Sequence, residues 1–213
     1  MLDASVRASI QPILRNRVSH DLFPERIETE RLELTRLTTA DTMALYDLAR
    51  TDGWRAATER DMPWFGFDRP DEVRAFLDRV ETEWADADAA GYGIRPLAGE
   101  PDAGDLVGFT RFEPEWNRDR AGAEVVIAEG FQGRGYGTER AEALLELAFD
   151  RLDLGAWVTK HAVGNDASRA MIERYVVENG GQCDGLLRHE NPRPDGRMTD
   201  QYRYSLLREE WLE

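Results

Sequence analysis

A mixed α/β (α+β) domain is the fold class this sequence predicts, and three observations predict it. Short segments of alternating or apolar pattern recur along the chain and read as strands. Between them fall segments with apolar residues at three- and four-residue spacing, which read as helices. At the centre an apolar strand runs into a glycine-spaced turn that opens a helix, a unit of mixed folds. The 213 residues, 41% of them hydrophobic, suit one domain over residues 27–213 with a helical appendage over 1–26.

The elements follow in order. In the appendage Ile10, Ile13, Leu14 and Val18 recur at helical spacing, and Pro24 ends the pattern. Leu32 and Leu34 alternate with charge in a strand over 31–36. Thr39 and Asp41 are cap candidates for a helix over 42–50. Trp54, Trp64, Phe65 and Phe67 fall in a stretch rich in turn residues and read as a loop; they either wall a binding site or cover the core. After Pro70, the residues Val73, Phe76, Leu77 and Val80 share one helical face. Residues 92–97 and 106–112 read as strands around a turn at 99–104, and 116–121 as a polar connection. The run 123–128 is apolar apart from Glu124 and predicts a strand buried on both faces. The glycine-rich turn 130–137 opens a helix reaching Arg151. A strand over 157–163 precedes a helix over 167–178 that Gly180 and Gly181 end. Two strands, 185–189 and 201–207, flank a turn at 192–197.

Composition narrows the classes of function. There are 42 Asp+Glu against 27 Lys+Arg, a net charge of −15, and no basic stripe to neutralise phosphates, so no nucleic-acid partner is expected. No apolar run approaches the roughly 20 residues of a membrane span, so no membrane partner is expected either. Residues 1–14 lack a basic flank followed by an apolar core, so no secretory leader is expected. Cys183 is the only cysteine, which fits a reducing, cytoplasmic setting; with no Cys/His signature around it, it reads as an inert half-buried thiol. Lys160 is the only lysine. Abundant carboxylates with almost no lysine predict a halophilic protein, because carboxylates hold water and salt screens their repulsion, with a Debye length near ~3 Å at 1 M. The melting temperature is expected to rise as KCl goes from dilute to molar, and a fall on thermal melts would refute the halophilic reading.

The most informative stretch runs from Val125 to Glu139. A buried strand enters a turn with Gly130, Gly133, Gly135 and Gly137, and a helix follows. Spaced glycines let backbone N–H groups approach an anion, and the helix start adds unpaired donors and partial positive charge. That makes a phosphate cradle, with a tight turn as the alternative. No Lys-Ser/Thr pair follows the last glycine, so a nucleotide-binding P-loop is disfavoured, and the spacing is not G-x-G-x-x-G.

Gln132, Gly135 and Gly137 form Q-x-x-G-x-G, which resembles the pyrophosphate motif of GNAT N-acetyltransferases. Asn165-Asp166-Ala167-Ser168 sits where that family carries N-x-x-S; its other reading is a helix cap. Asp184 to Arg188, Asp195-Gly196-Arg197 and Ser205 to Trp211 resemble the ending of ribosomal-protein N-terminal acetyltransferases of the RimJ/RimL type, and Ile27 to Leu34 resembles their opening. The resemblance spans nearly all of the chain after the appendage. It implies a twisted, mostly antiparallel sheet whose two central strands, 123–128 and 157–163, splay to receive the pantetheine arm as an added strand. It implies acetyl-coenzyme A as co-substrate, no metal, and a primary amine acceptor such as a ribosomal-protein N-terminus. The sheet edges leave a homodimer open.

The same resemblance distributes roles. Gln132, Gly133, Arg134, Gly135, Gly137 and Thr138 would hold the pyrophosphate, Asn165 and Arg169 would lie near the cofactor arm, and amides around Ile127 would face the oxyanion. Direct attack by the amine needs a base, and Glu124 is the candidate: a lone carboxylate on an apolar strand, whose alternative is an exposed strand-end charge. The family's glutamate aligns two residues earlier, at Gly122, and a two-residue offset keeps the face. His161 and Glu113 are weaker candidates. The family's thiolate-facing tyrosine aligns with Ile172; Tyr175 lies three residues on, and Ser168 becomes the hydroxyl donor. The segment from Tyr175 to Gly181 looks longer than the family norm. Two other readings stay open: a small-molecule amine as acceptor, or an acyl-coenzyme A-binding protein with little turnover.

Overall fold

The computed structural model describes residues 22–58, 62, 65–192 and 196–211. Most of the appendage, Trp64 and part of the turn 192–197 lie outside these. Eight strands form one sheet in the order β1-β2-β3-β4-β5-β6-β8-β7. They are β1 Arg26–Glu28, β2 Leu32–Arg36, β3 Ala90–Pro96, β4 Gly108–Glu115, β5 Arg120–Ile127, β6 Ala156–Ala162, β7 Gln182–Pro192 and β8 Met198–Leu207. Every neighbouring pair is antiparallel except β5–β6. The helices are α1 Thr42–Ala49, α2 Asp52–Thr58, α3 Pro70–Ala85, α4 Tyr136–Glu146, α5 Asp166–Ile172 and α6 Arg208–Trp211.

Two buried clusters fill the layers. Leu45, Leu48, Val73, Phe76, Leu77 and Val80 of α1 and α3 pack with Phe109 and Val126 of the sheet. Leu144, Leu145, Tyr175 and Val176 pack with Phe112, Ala121, Trp157 and Leu206, and Trp84 joins them. The face predicted for the helix after Pro70 is therefore its buried face, and Pro70 stands in its first turn, where a missing N–H costs nothing. Packing begins before Ile27: Phe23 is fully buried against Trp84 and Phe112, and Tyr92 Oη donates to Pro24 O at 3.0 Å.

Some expectations need correction. Trp54 lies in helix α2 rather than in a loop, and its Nε1 donates to Phe65 O at 2.8 Å. Trp54, Phe65 and Phe67 are buried in the α1–α3 cluster, so of the two readings for these aromatics the core one holds. Turn residues Asp52 and Gly53 open that helix instead of breaking it. β5 is not buried on both faces: Ala123, Glu124 and Val125 are half-buried. The strands β7 and β8 run further into their turn than patterning suggested, because their cross-strand pairs extend to Pro192↔Met198.

The reason for the half-burial of β5 is the splay. β5 and β6 pair only at Arg120↔Ala156 and Ala121↔Trp157, although both strands continue well beyond. Past these rungs the sheet opens into a V.

Candidate active site

The hydrogen-bond alternation says which groups the V exposes. Ala128 N donates to Val107 O at 3.0 Å, so Val126 and Glu124 serve β4, and Ala123, Val125 and Ile127 turn their N–H and C=O toward β6. Val163 N donates to Asp200 O at 3.0 Å, so Trp157, Thr159 and His161 serve β8. Val158, Lys160 and Ala162 then face β5 across the gap. The amides of Val125 and Ile127 therefore face the gap, and those of Val126 and Ala128 face away from it. The V opens into a cleft of about 820 Å³ whose lining includes Glu113, Glu124, Arg140, His161, Asn165 and Ser168.

Glu124 projects into this cleft. Burial pushes its carboxyl above the usual range; Arg111 opposes the shift and Glu83 adds to it. Arg111 is its register partner on β4 and is itself bonded to Glu83 Oε2 at 2.9 Å and in contact with Glu113. The structure also explains why a carboxylate stands at 124 and not at 122. A Cβ on Gly122 would lie 2.4 Å from Val158 O, because the strands are still together there. Two residues on, the gap has opened and a side chain fits. His161 is buried on the β8 side, its ring near Tyr202 and Tyr204 and its Nδ1 3.0 Å from Ala162 O.

The glycine turn lies at the open end of β5. Among the described residues, the amides of Gly133, Arg134, Gly135, Tyr136 and Gly137 make no backbone hydrogen bond, whereas Gln132 N and Thr138 N do, at 3.1 Å each. Five successive donors at the start of α4 are a cradle for an anion. Gly133 and Gly135 take left-handed φ of +75° and +87°, which curl these amides inward. Gln132 acts through its side chain: Nε2 donates to Ile127 O at 2.8 Å and ties the turn to β5. Arg134 lies over Phe131, and its Nη2 donates to Gly130 O at 2.9 Å. Gly137 abuts Met171, which also lines the cleft, so the cradle and the V adjoin.

Asn165 caps α5, its Oδ1 accepting from Ser168 N at 3.1 Å, so the cap reading holds for that oxygen. Ser168 is half-buried at the cleft. Arg169 is exposed, bonded to Glu173 at 2.9 Å, and absent from the cleft lining. The long segment after α5 is a π-helical turn, Glu173–Val177, which absorbs the extra length and seats Tyr175 in the cleft wall.

Sequence reasoning missed the brace behind the cradle. Glu139 accepts from Thr29 Oγ1 (2.6 Å), Arg31 N (2.7 Å) and Arg31 Nε (2.8 Å), while Arg31 Nη1 donates to Arg134 O at 2.9 Å. Arg31 thus fixes the turn from outside. The only signal was the Thr29-Glu30-Arg31 opening itself, which spacing alone does not connect to Glu139.

A family model described as an acetyltransferase (GNAT) domain matches residues 31–175. The chain belongs to this family. YdaF of Bacillus subtilis (strain 168), named as a ribosomal N-acetyltransferase, is 38% identical over 86 residues, 40% of this chain and 44% of YdaF. The match therefore spans less than half of that relative. The microcin C7 self-immunity acetyltransferase MccE, solved with acetyl-CoA and AMP, superposes with a TM-score of 0.74 at 20% identity, over 88% of this chain and 98% of MccE. RimL, a ribosomal L7/L12 α-N-protein acetyltransferase solved with coenzyme A, gives 0.72 at 21% identity, over 86% and 98%. At such identity these two likenesses speak to the fold, which is the GNAT fold expected from the sequence.

Proposed function

We propose that this acetyltransferase moves the acetyl group of acetyl-coenzyme A to a protein N-terminal α-amine by direct attack in a ternary complex. The observation that carries the reading is the V between β5 and β6, with a five-amide cradle at its open end and Glu124 within it. The cradle amides hold the pyrophosphate, with Gln132 keeping the turn in place. The N–H and C=O of Val125 and the N–H of Ile127 hold the pantetheine arm and then the oxyanion. Glu124 takes the proton of the incoming ammonium, and Ser168 faces the sulfur. The bound donor supplies the activated acetyl thioester. The cleft extends past β6 to Leu187 and Pro192 of β7 and Thr199 and Gln201 of β8, which suits an extended chain end. The names of YdaF and RimL favour a ribosomal protein as acceptor. A cytoplasmic setting belongs to the same reading, as does pairing through the long edge strand β7.

Calorimetric titration with acetyl-coenzyme A in molar KCl, followed by turnover on ribosomal-protein N-terminal peptides and on polyamines, tests it. Stoichiometric binding with turnover on the peptides is expected. No binding at high or low salt would sink the reading, and turnover on polyamines alone would replace the acceptor.

A further inference from the structure

Five cations line the cleft, and four of them are committed. Arg118 and Arg120 pair with Glu115, Lys160 pairs with Glu190, and Arg203 lies 3.4 Å from Asp184. Arg140 is the exception. It is 1% exposed, has no carboxylate partner among the described residues, and its Nε has no hydrogen-bond partner. A buried guanidinium without a counter-charge costs several kcal/mol unless something compensates it. Leucine or alanine at this helix position would pack without that cost.

The guanidinium is aimed by its neighbours. Nη1 donates to Thr110 Oγ1 at 3.2 Å, and that hydroxyl donates to Glu124 O at 2.7 Å. Arg140 is thereby held beneath β5 at the level of the candidate base. Tyr175 packs close by, its hydroxyl kept neutral by burial. Burial pushes the guanidinium down to about 10, so it stays charged at neutral pH.

We propose that Arg140 is the buried cation that holds the negative charge developing on the departing coenzyme A sulfur. This rests on the proposed acetyl transfer. The amine lone pair forms the C–N bond to the acetyl carbon, the C–S bond breaks, and its electron pair stays on sulfur. Glu124 has taken one proton of the ammonium before attack, and the second nitrogen proton passes to the sulfur once the C–S bond has broken, leaving the amide and the thiol. The oxyanion has the Val125 and Ile127 amides, whereas the sulfur has only Ser168, with Ile172 at the family's tyrosine position. Arg140 supplies the missing charge from the wall of the cleft that it lines.

The test follows the ultraviolet thiolate absorption of bound coenzyme A against pH, in the unaltered protein and in Arg140→Lys and Arg140→Met. In the unaltered protein the bound thiol is expected to titrate below free coenzyme A. Arg140→Lys should keep part of that shift, and Arg140→Met should abolish it. Turnover in Arg140→Met should fall about 10-fold or more, with Kd for acetyl-coenzyme A nearly unchanged. A thiol that titrates as in free coenzyme A in the unaltered protein overturns the proposal, even if Arg140→Met fails to fold. So does an Arg140→Met variant that loses affinity but keeps the shift, which would make Arg140 a ground-state contact. Failure of coenzyme A to bind at all would instead overturn the acetyltransferase reading.

Discussion

Gly135→Glu is expected to abolish acetyl-coenzyme A binding while leaving the fold in place. Three effects act together. Gly135 has φ +87°, a left-handed conformation that costs an L side chain about 1–2 kcal/mol. A Cβ there would lie 3.0 Å from Arg31 Nη2, which braces the turn through Glu139 and Arg134 O. The new carboxylate would compete for Arg31 and place negative charge among the five free amides. Each effect opposes a polyanion, so Kd should rise at least about 100-fold, equivalent to ~2.7 kcal/mol. Calorimetry reads the affinity and thermal melting checks the fold. Affinity within a few-fold of the parent, in a folded variant, would refute the cradle.

Glu124→Gln is expected to lower kcat by about 10²- to 10⁴-fold, the usual contribution of a positioned base. The amide keeps size and polarity but takes no proton. The pH profile separates this from a structural effect. Burial, opposed by Arg111 and reinforced by Glu83, sets the Glu124 carboxyl above the ordinary range. Activity in the parent should therefore fall as pH drops through that raised value, and the residual activity of Glu124→Gln should lack this limb. Stability carries the opposite sign. A raised folded-state pKa means the fold favours the protonated acid, a contribution present below the unfolded pKa and lost as pH rises through the folded one. At neutral pH Glu124→Gln should be no less stable than the parent. Denaturant titrations at several pH values check this, and an unchanged kcat would remove Glu124 from the mechanism.

Much of the fold is legible because its signals are local. The face of α3 follows from Val73, Phe76, Leu77 and Val80, and the cradle from Gly133, Gly135 and Gly137. The implied splay of the central strands corresponds to the two-rung pairing of β5 and β6. What spacing hides is non-local. Arg31 and Glu139 meet across 108 residues, and no spacing in the sequence links Arg140 to Thr110 on β4. Trp54 misled because Thr51, Asp52 and Gly53 are turn formers that here start a helix. The offset between Gly122 and Glu124 needed the distance to Val158 O before it had a cause.

The two-rung junction also bears on how such a protein can diversify. Beyond Trp157, β6 answers to β8 and not to β5. A substitution or register change on the far wall is felt by β6, β7 and β8, while β5 and its glycine turn keep their geometry. One half of the molecule can therefore drift while the other is held. MccE and RimL, one named for microcin C7 self-immunity and the other for ribosomal L7/L12, share this fold over 88% and 86% of the chain's length. Under the proposed function, a sheet divided in this way would let acceptor preference change without rebuilding the machinery for the donor.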